Sequence, residues 1–92
     1  MKIIITNTFE KATKKLHRKQ VKEVEDAIET IAKNPMVGEA KKGDLAGVQV
    51  YKFRIDNQLI LLAYIYDDVE RELTLLSLGS HENFYRDLKK NL

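Results

Sequence analysis

The chain contains no cysteine, which excludes a disulfide scaffold and a thiolate metal site. It has only two histidines, His17 and His81, too few for a histidine-rich zinc centre. Its longest strongly apolar stretch, Leu59 to Tyr66, is far short of the ~20 residues that a membrane helix needs. The opening Met1-Lys2-Ile3-Ile4-Ile5 lacks the apolar length and cleavage site of a signal peptide, so the expected location is the cytoplasm. There is no internal repeat, no phosphate-binding glycine-rich loop and no nucleophile-elbow motif, and the turn carboxylates Asp67, Asp68, Glu70 and Glu72 do not follow a metal-binding pattern. No metal or other cofactor is expected.

What is present fits one small globular domain spanning 1–92. The apolar fraction is 43% and the charged fraction 33%, which argues against disorder. The net charge is +2, but it falls in blocks. Residues 1–22 carry seven Lys/Arg against one acid, whereas 23–39 carry one against five. A basic face on a nearly neutral protein is what a nucleic-acid partner would use, and a solvated lysine-rich helix is the plainer reading.

Lys2 to Asn7 reads as a β-branched strand, with Thr6, Asn7 or Thr8 as cap of the helix that follows. Phe9, Ala12, Thr13 and Leu16 share one helical face, and Val21, Val24, Ile28 and Ile31 form a second stripe. A break near His17-Arg18-Lys19 lets the two stripes fold together, and Asn34-Pro35 stops the helix. Met36 to Gly47 reads as a loop with mostly basic charges. Val48 to Ile55, Leu59 to Tyr66 and Glu72 to Leu78 read as three strands, the first two joined by a tight turn at Asp56-Asn57. Glu82 to Leu92 reads as a closing helix. The order β-α-α-β-β-β-α predicts an α+β fold: a small antiparallel sheet with two N-terminal helices on one face and a short C-terminal helix.

Alternation along Val48 to Ile55 puts Lys52 and Arg54 on one face and Tyr51, Phe53 and Ile55 on the core face. A two-residue turn at Asp56-Asn57 pairs Arg54 with Leu59 and Lys52 with Leu61; a three-residue turn reverses the parity. With the first register, Leu59, Leu61, Ala63 and Ile65 flank the cations on the face away from the helices. A surface half basic and half apolar predicts a partner, or the C-terminal helix, lying across it. Alternating cations on a strand most often just meet solvent. His81 follows the last strand and is the candidate for convergence: with Lys52, Arg54 and Tyr85 it makes an acid/base group facing a phosphate clamp. His17 reads as a surface residue.

Gly43-Asp44-Leu45-Ala46-Gly47, Val50-Tyr51-Lys52-Phe53-Arg54, Leu61-Leu62-Ala63-Tyr64 and, most specifically, Gly79-Ser80-His81-Glu82-Asn83-Phe84-Tyr85 resemble the RelE/ParE superfamily of toxins from bacterial type II toxin–antitoxin pairs. The resemblance covers nearly the whole chain. It implies one of two activities: metal-independent mRNA cleavage on the ribosome, or non-catalytic inhibition of DNA gyrase. A third possibility is a decayed toxin that only binds its antitoxin. For the nuclease branch, it implies Lys52 and Arg54 as phosphate stabilisers, His81 as general acid or base, and Tyr85 as a base-stacking residue. Lys11, Lys14, Lys15, Arg18 and Arg86 would bind RNA backbone. Some nucleases carry a further arginine where this chain has Leu59-Ile60-Leu61, and Arg71 or Arg86 would have to substitute for it. The implied partner is an acidic antitoxin in a hetero-oligomer. Its expected docking neighbourhood is Leu59 to Ile65 with Phe84 and Leu88, although Phe84 and Leu88 equally suit plain helix-to-sheet packing.

Overall fold

The computed structural model describes residues 1–80 together with Phe84 and Leu88. Strand β1 (Lys2–Ile5) leads through Thr6 into α1 (Asn7–Lys14). The Thr6 hydroxyl accepts from the Phe9 amide at 3.3 Å and donates to the Leu75 carbonyl at 2.8 Å. One side chain therefore caps the helix and ties its start to the sheet. The expected break comes at Lys15-Leu16-His17, and α2 (Arg18–Lys33) follows. It buries Val24, Ala27 and Ile31 at helical spacing. Asn34 leaves helical geometry ahead of Pro35, and its side chain accepts from the Met36 amide.

The segment read as a loop, Met36 to Gly47, holds more structure than its composition suggests. Two single 3-10 turns, Pro35–Val37 and Gly43–Leu45, flank a two-residue strand, β2 (Glu39–Ala40). Two residues are too few for alternation to announce a strand. Strands β3 (Gln49–Ile55), β4 (Gln58–Asp67) and β5 (Glu72–Gly79) then form the expected meander. Asp56 and Asn57 both have positive φ, 49° and 69°, as a two-residue hairpin turn with the right twist requires. The register follows: Lys52 opposite Leu61 and Arg54 opposite Leu59.

The sheet order is β1-β5-β4-β3-β2. All pairings are antiparallel except β1 with β5, which is parallel, so the sheet is mixed. Helices α1 and α2 connect β1 to the meander, and a helical crossover permits either direction. Near the middle of β5 the pairing slips: Ala63 faces Ser77, but Tyr64 faces Leu75, leaving Leu76 extra. This bulge explains the Leu75-Leu76 doublet. Leu73 and Leu75 pack toward the helices, Leu76 packs on the other side, and Leu78 returns to the helix side.

The sheet is thus covered on both faces. On the helix side, Phe9, Val24, Ile31, Ile55, Leu62, Tyr64, Leu73 and Leu75 form the larger core. On the other side, Leu45, Val48, Val50, Leu61 and Ala63 pack against helical Phe84 and Leu88. Leu61 and Ala63 are 0% exposed. Of the two covers expected for this strip, the chain's own C-terminal segment supplies one. The strip around Leu61 and Ala63 is therefore core, not an open docking surface. Among the described residues no helix is long and apolar enough to cross a membrane.

Candidate functional site

Three cations and a carboxylate gather on the face that carries Phe84 and Leu88, beyond the apolar patch these cover. Lys52 and Arg54 project from β3 as alternation requires, and both are exposed. In β2, Glu39 pairs with Val50 and so shares their face. The Lys41 amide continues that ladder by donating to the Val48 carbonyl at 2.9 Å. The Glu39 carboxylate lies 3.4 Å from the Lys41 ammonium and 3.9 Å from that of Lys52. The Lys41 side chain is only 19% exposed, whereas that of Lys52 is 48% exposed. The Arg54 guanidinium donates to the Asn57 carbonyl at 3.1 Å, which holds it against the hairpin turn.

The open Glu39–Lys52 pair contributes only about 0–1 kcal/mol to stability. Chemically, the cations can gather phosphate oxygens, the guanidinium as a planar fork and the ammoniums as point charges. The carboxylate between them can accept a proton from a hydroxyl. Sequence reasoning missed Glu39 and Lys41 because they sit in the segment taken for a loop. Only their pairing with β3 gives them a face.

His81, Tyr85 and Arg86 lie outside the described residues. The strand leading to His81 ends with Gly79 in register with Leu61, the residue opposite Lys52. Lys11, Lys14, Lys15 and Arg18 are exposed on the helix layer, across the sheet from Lys52 and Arg54, and Lys14 pairs with Glu10 at 3.4 Å. Lys15 lines a shallow cavity of about 230 Å³ with Leu16, Ile55, Ile60, Leu78 and Gly79. Nearby, Gln20 of α2 donates to the Asp56 carboxylate in the β3–β4 turn at 3.2 Å. Lys15 and Arg18 thus flank the same end of the sheet as Arg54, from the opposite side. His17 begins α2 and is exposed, as expected. Arg71 occupies the β4–β5 turn at the other end of the sheet, so it cannot substitute for an arginine at Leu59 to Leu61.

Beneath the carboxylate's strand, the Tyr64 hydroxyl donates to the Pro35 carbonyl at 2.7 Å and accepts from the Gly38 amide at 2.9 Å. Burial pushes its pKa above the ordinary 10.0, and the Gly38 N–H opposes part of that rise.

The helix pair and the mixed five-stranded sheet are shared with known proteins. Residues 3–89 match the sequence profile of the ParE-like toxins of type II bacterial toxin–antitoxin systems, and the chain belongs to that family. Among solved structures, it is similar to the toxin in the intact Escherichia coli RelBE toxin–antitoxin complex, with 16% identity and a TM-score of 0.70. That match covers 88% of this chain and 96% of the other. It is also similar to a chain of the RelBE2 toxin–antitoxin complex of Mycobacterium tuberculosis, with 24% identity, a TM-score of 0.66, and 87% and 96% coverage. A YoeB/ParE toxin from Agrobacterium tumefaciens matches with 21% identity, a TM-score of 0.64, and 88% and 99% coverage. At these identities the likeness concerns the fold. No curated protein sequence matches the chain.

Proposed function

We propose that this toxin is a metal-independent endoribonuclease that cuts mRNA on the ribosome. The observation that carries the reading is the shared face of Lys52, Arg54 and Glu39, with the carboxylate 3.9 Å from the Lys52 ammonium. RNA brings its own nucleophile, the 2′-hydroxyl. A catalyst must align it with the adjacent phosphorus, stabilise the added negative charge and move two protons. Glu39 takes the 2′-hydroxyl proton as the oxygen attacks. Lys52 and Arg54 hold the phosphate oxygens. His81 returns a proton to the departing 5′-oxygen, a role for which imidazole is the common side chain. Tyr85 stacks on a base. The products are a 2′,3′-cyclic phosphate and a 5′-hydroxyl. Lys11, Lys14, Lys15, Arg18 and Arg86 grip RNA backbone, which makes association salt-sensitive. The toxin works in the cytoplasm, paired with an acidic antitoxin in a hetero-oligomer, as the RelBE complexes among its structural relatives suggest.

A second reading has its own support. The matching family is described as ParE-like, and β4 offers Leu59, Ile60 and Leu61 where some nucleases place an arginine. On that reading the chain inhibits DNA gyrase and cleaves nothing. Purified toxin added to translating ribosomes separates the two. Cleaved mRNA, reduced ~10²-fold or more by His81→Ala, supports the nuclease. Intact mRNA with DNA breaks in expressing cells, unaffected by His81→Ala, supports gyrase inhibition. Unimpaired growth on expression of the toxin alone points to a decayed toxin that only binds its antitoxin.

A further inference from the structure

We infer that Tyr64 is a positioning residue for the Glu39 carboxylate, acting through the backbone of Gly38; the inference rests on the nuclease reading. Tyr64 belongs to β4 and faces the helices, whereas Glu39 belongs to β2 and faces the opposite side. Strand β3 runs between them. The Tyr64 ring is 0% exposed, and its hydroxyl reaches under β3 to the segment that feeds β2. There it bridges the Pro35 carbonyl and the Gly38 amide, and Gly38 is the residue immediately before Glu39.

The contact is matched from both sides. A Cβ built on Gly38 would lie 2.5 Å from the Tyr64 hydroxyl oxygen and 2.9 Å from Cε1. Glycine is needed here because the backbone approaches a fixed, buried ring. Gly38 keeps an ordinary extended backbone, with φ of −76°.

Strand β2 depends on such an anchor. It has two residues and lies at the sheet edge, held by its pairing with β3 and by the Lys41 amide bond to Val48. A weaker bond runs from the Gln49 side-chain amide to the Gly38 carbonyl at 3.4 Å. A ladder this short is marginal unless its ends are fixed. The phenol fixes the end from which Glu39 departs. A phenylalanine would fill the same core volume and leave that end untied. The carboxylate would then lose its fixed place beside Lys52, and a small error in the geometry of a proton acceptor costs rate rather than affinity.

The test is Tyr64→Phe, read by cleavage kinetics and by amide hydrogen exchange. Exchange at Gly38 to Lys41 should speed up at least tenfold, with the β4 and β5 amides unchanged. On ribosomes, kcat should fall about tenfold with KM unchanged. In a Glu39→Gln background, Tyr64→Phe should cost no further rate, because the group it positions is gone. Gly38→Ala, which strikes the same contact from the other side, should show the same kcat loss and the same dependence on Glu39. An unchanged exchange pattern beside normal wild-type cleavage overturns the inference alone. So does a rate loss that is equal with Glu39 intact and in the Glu39→Gln background, which marks a purely structural residue. Wild-type toxin that leaves mRNA whole on ribosomes strikes the nuclease reading itself, and the inference with it.

Discussion

The two faces of the sheet are built differently. The helix side is a continuous core: among the described residues, ten buried ones from two helices and three strands, with half-buried neighbours such as Leu16, Ile28 and Phe53. Its charges, Lys11 to Lys22, stand exposed on the outer surface of the helices, away from the sheet. The other side is a smaller core, of seven buried residues among those described, and beside it the sheet itself carries charge. Lys52, Arg54 and Glu39 rise directly from paired strands, where neighbouring ladders fix the backbone. Both faces stabilise the fold, and only the second also presents charge on a rigid support, which a catalytic or binding constellation requires.

The sharpest way to break this comparison is to cut the same side chain on each face of one strand. Leu61 and Leu62 are adjacent on β4, both 0% exposed, and point to opposite faces. Each Leu→Ala substitution should destabilise by about 2–5 kcal/mol in denaturant unfolding. If Leu61→Ala costs less than about 1 kcal/mol, Phe84 and Leu88 do not seal the smaller core, and the second face is open.

The next largest effect concerns the charged patch. Lys52→Ala and Arg54→Ala should leave stability within about 0.5 kcal/mol, since both side chains are exposed and their ion-pair contributions small. Each should lower ribosome-dependent cleavage by about 10–100-fold, equivalent to roughly 1.4–2.7 kcal/mol in the barrier. Lys11→Ala and Lys14→Ala, on the helix side, should mainly raise KM and flatten its salt dependence. Equal behaviour of the two sets would erase the distinction between the faces.

The smallest effect appears at alkaline pH. The Tyr64 phenol titrates higher when folded than its ordinary 10.0, because burial disfavours the phenolate. The unfolded chain therefore loses this proton first. The stability linked to it is complete below pH 10 and declines as pH rises through the folded value, by at most about 1.4 kcal/mol per pH unit. Tyr64→Phe lacks this decline, so the stability gap between wild type and variant should shrink above pH 10 in paired unfolding titrations. A gap independent of pH would remove the phenol from the buried site beneath β2.

Much of this was legible residue by residue. The strand alternation of Val48 to Ile55 assigned Lys52 and Arg54 to one face, and the Asp56-Asn57 turn left two registers, of which the structure takes the two-residue one. Thr6 was one of three candidate caps, with Asn7 and Thr8, and Asn34-Pro35 announced the helix stop. Glu39 and Lys41 were not legible, since a two-residue strand has no period. Nor was the bulge at Leu76, which looks like any apolar doublet until its partners slip.

What the sequence determined by itself is local: where helices start and end, which residues alternate, and where the β3–β4 hairpin turns. Each follows from dihedral preferences and short-range hydrogen bonds. Tertiary structure alone decided that β1 runs parallel to β5, that Phe84 and Leu88 close the second face, and that a buried phenol reaches under β3 to hold the backbone next to Glu39. Those outcomes depend on contacts between residues far apart in the chain, and packing selects them only once the sheet has assembled.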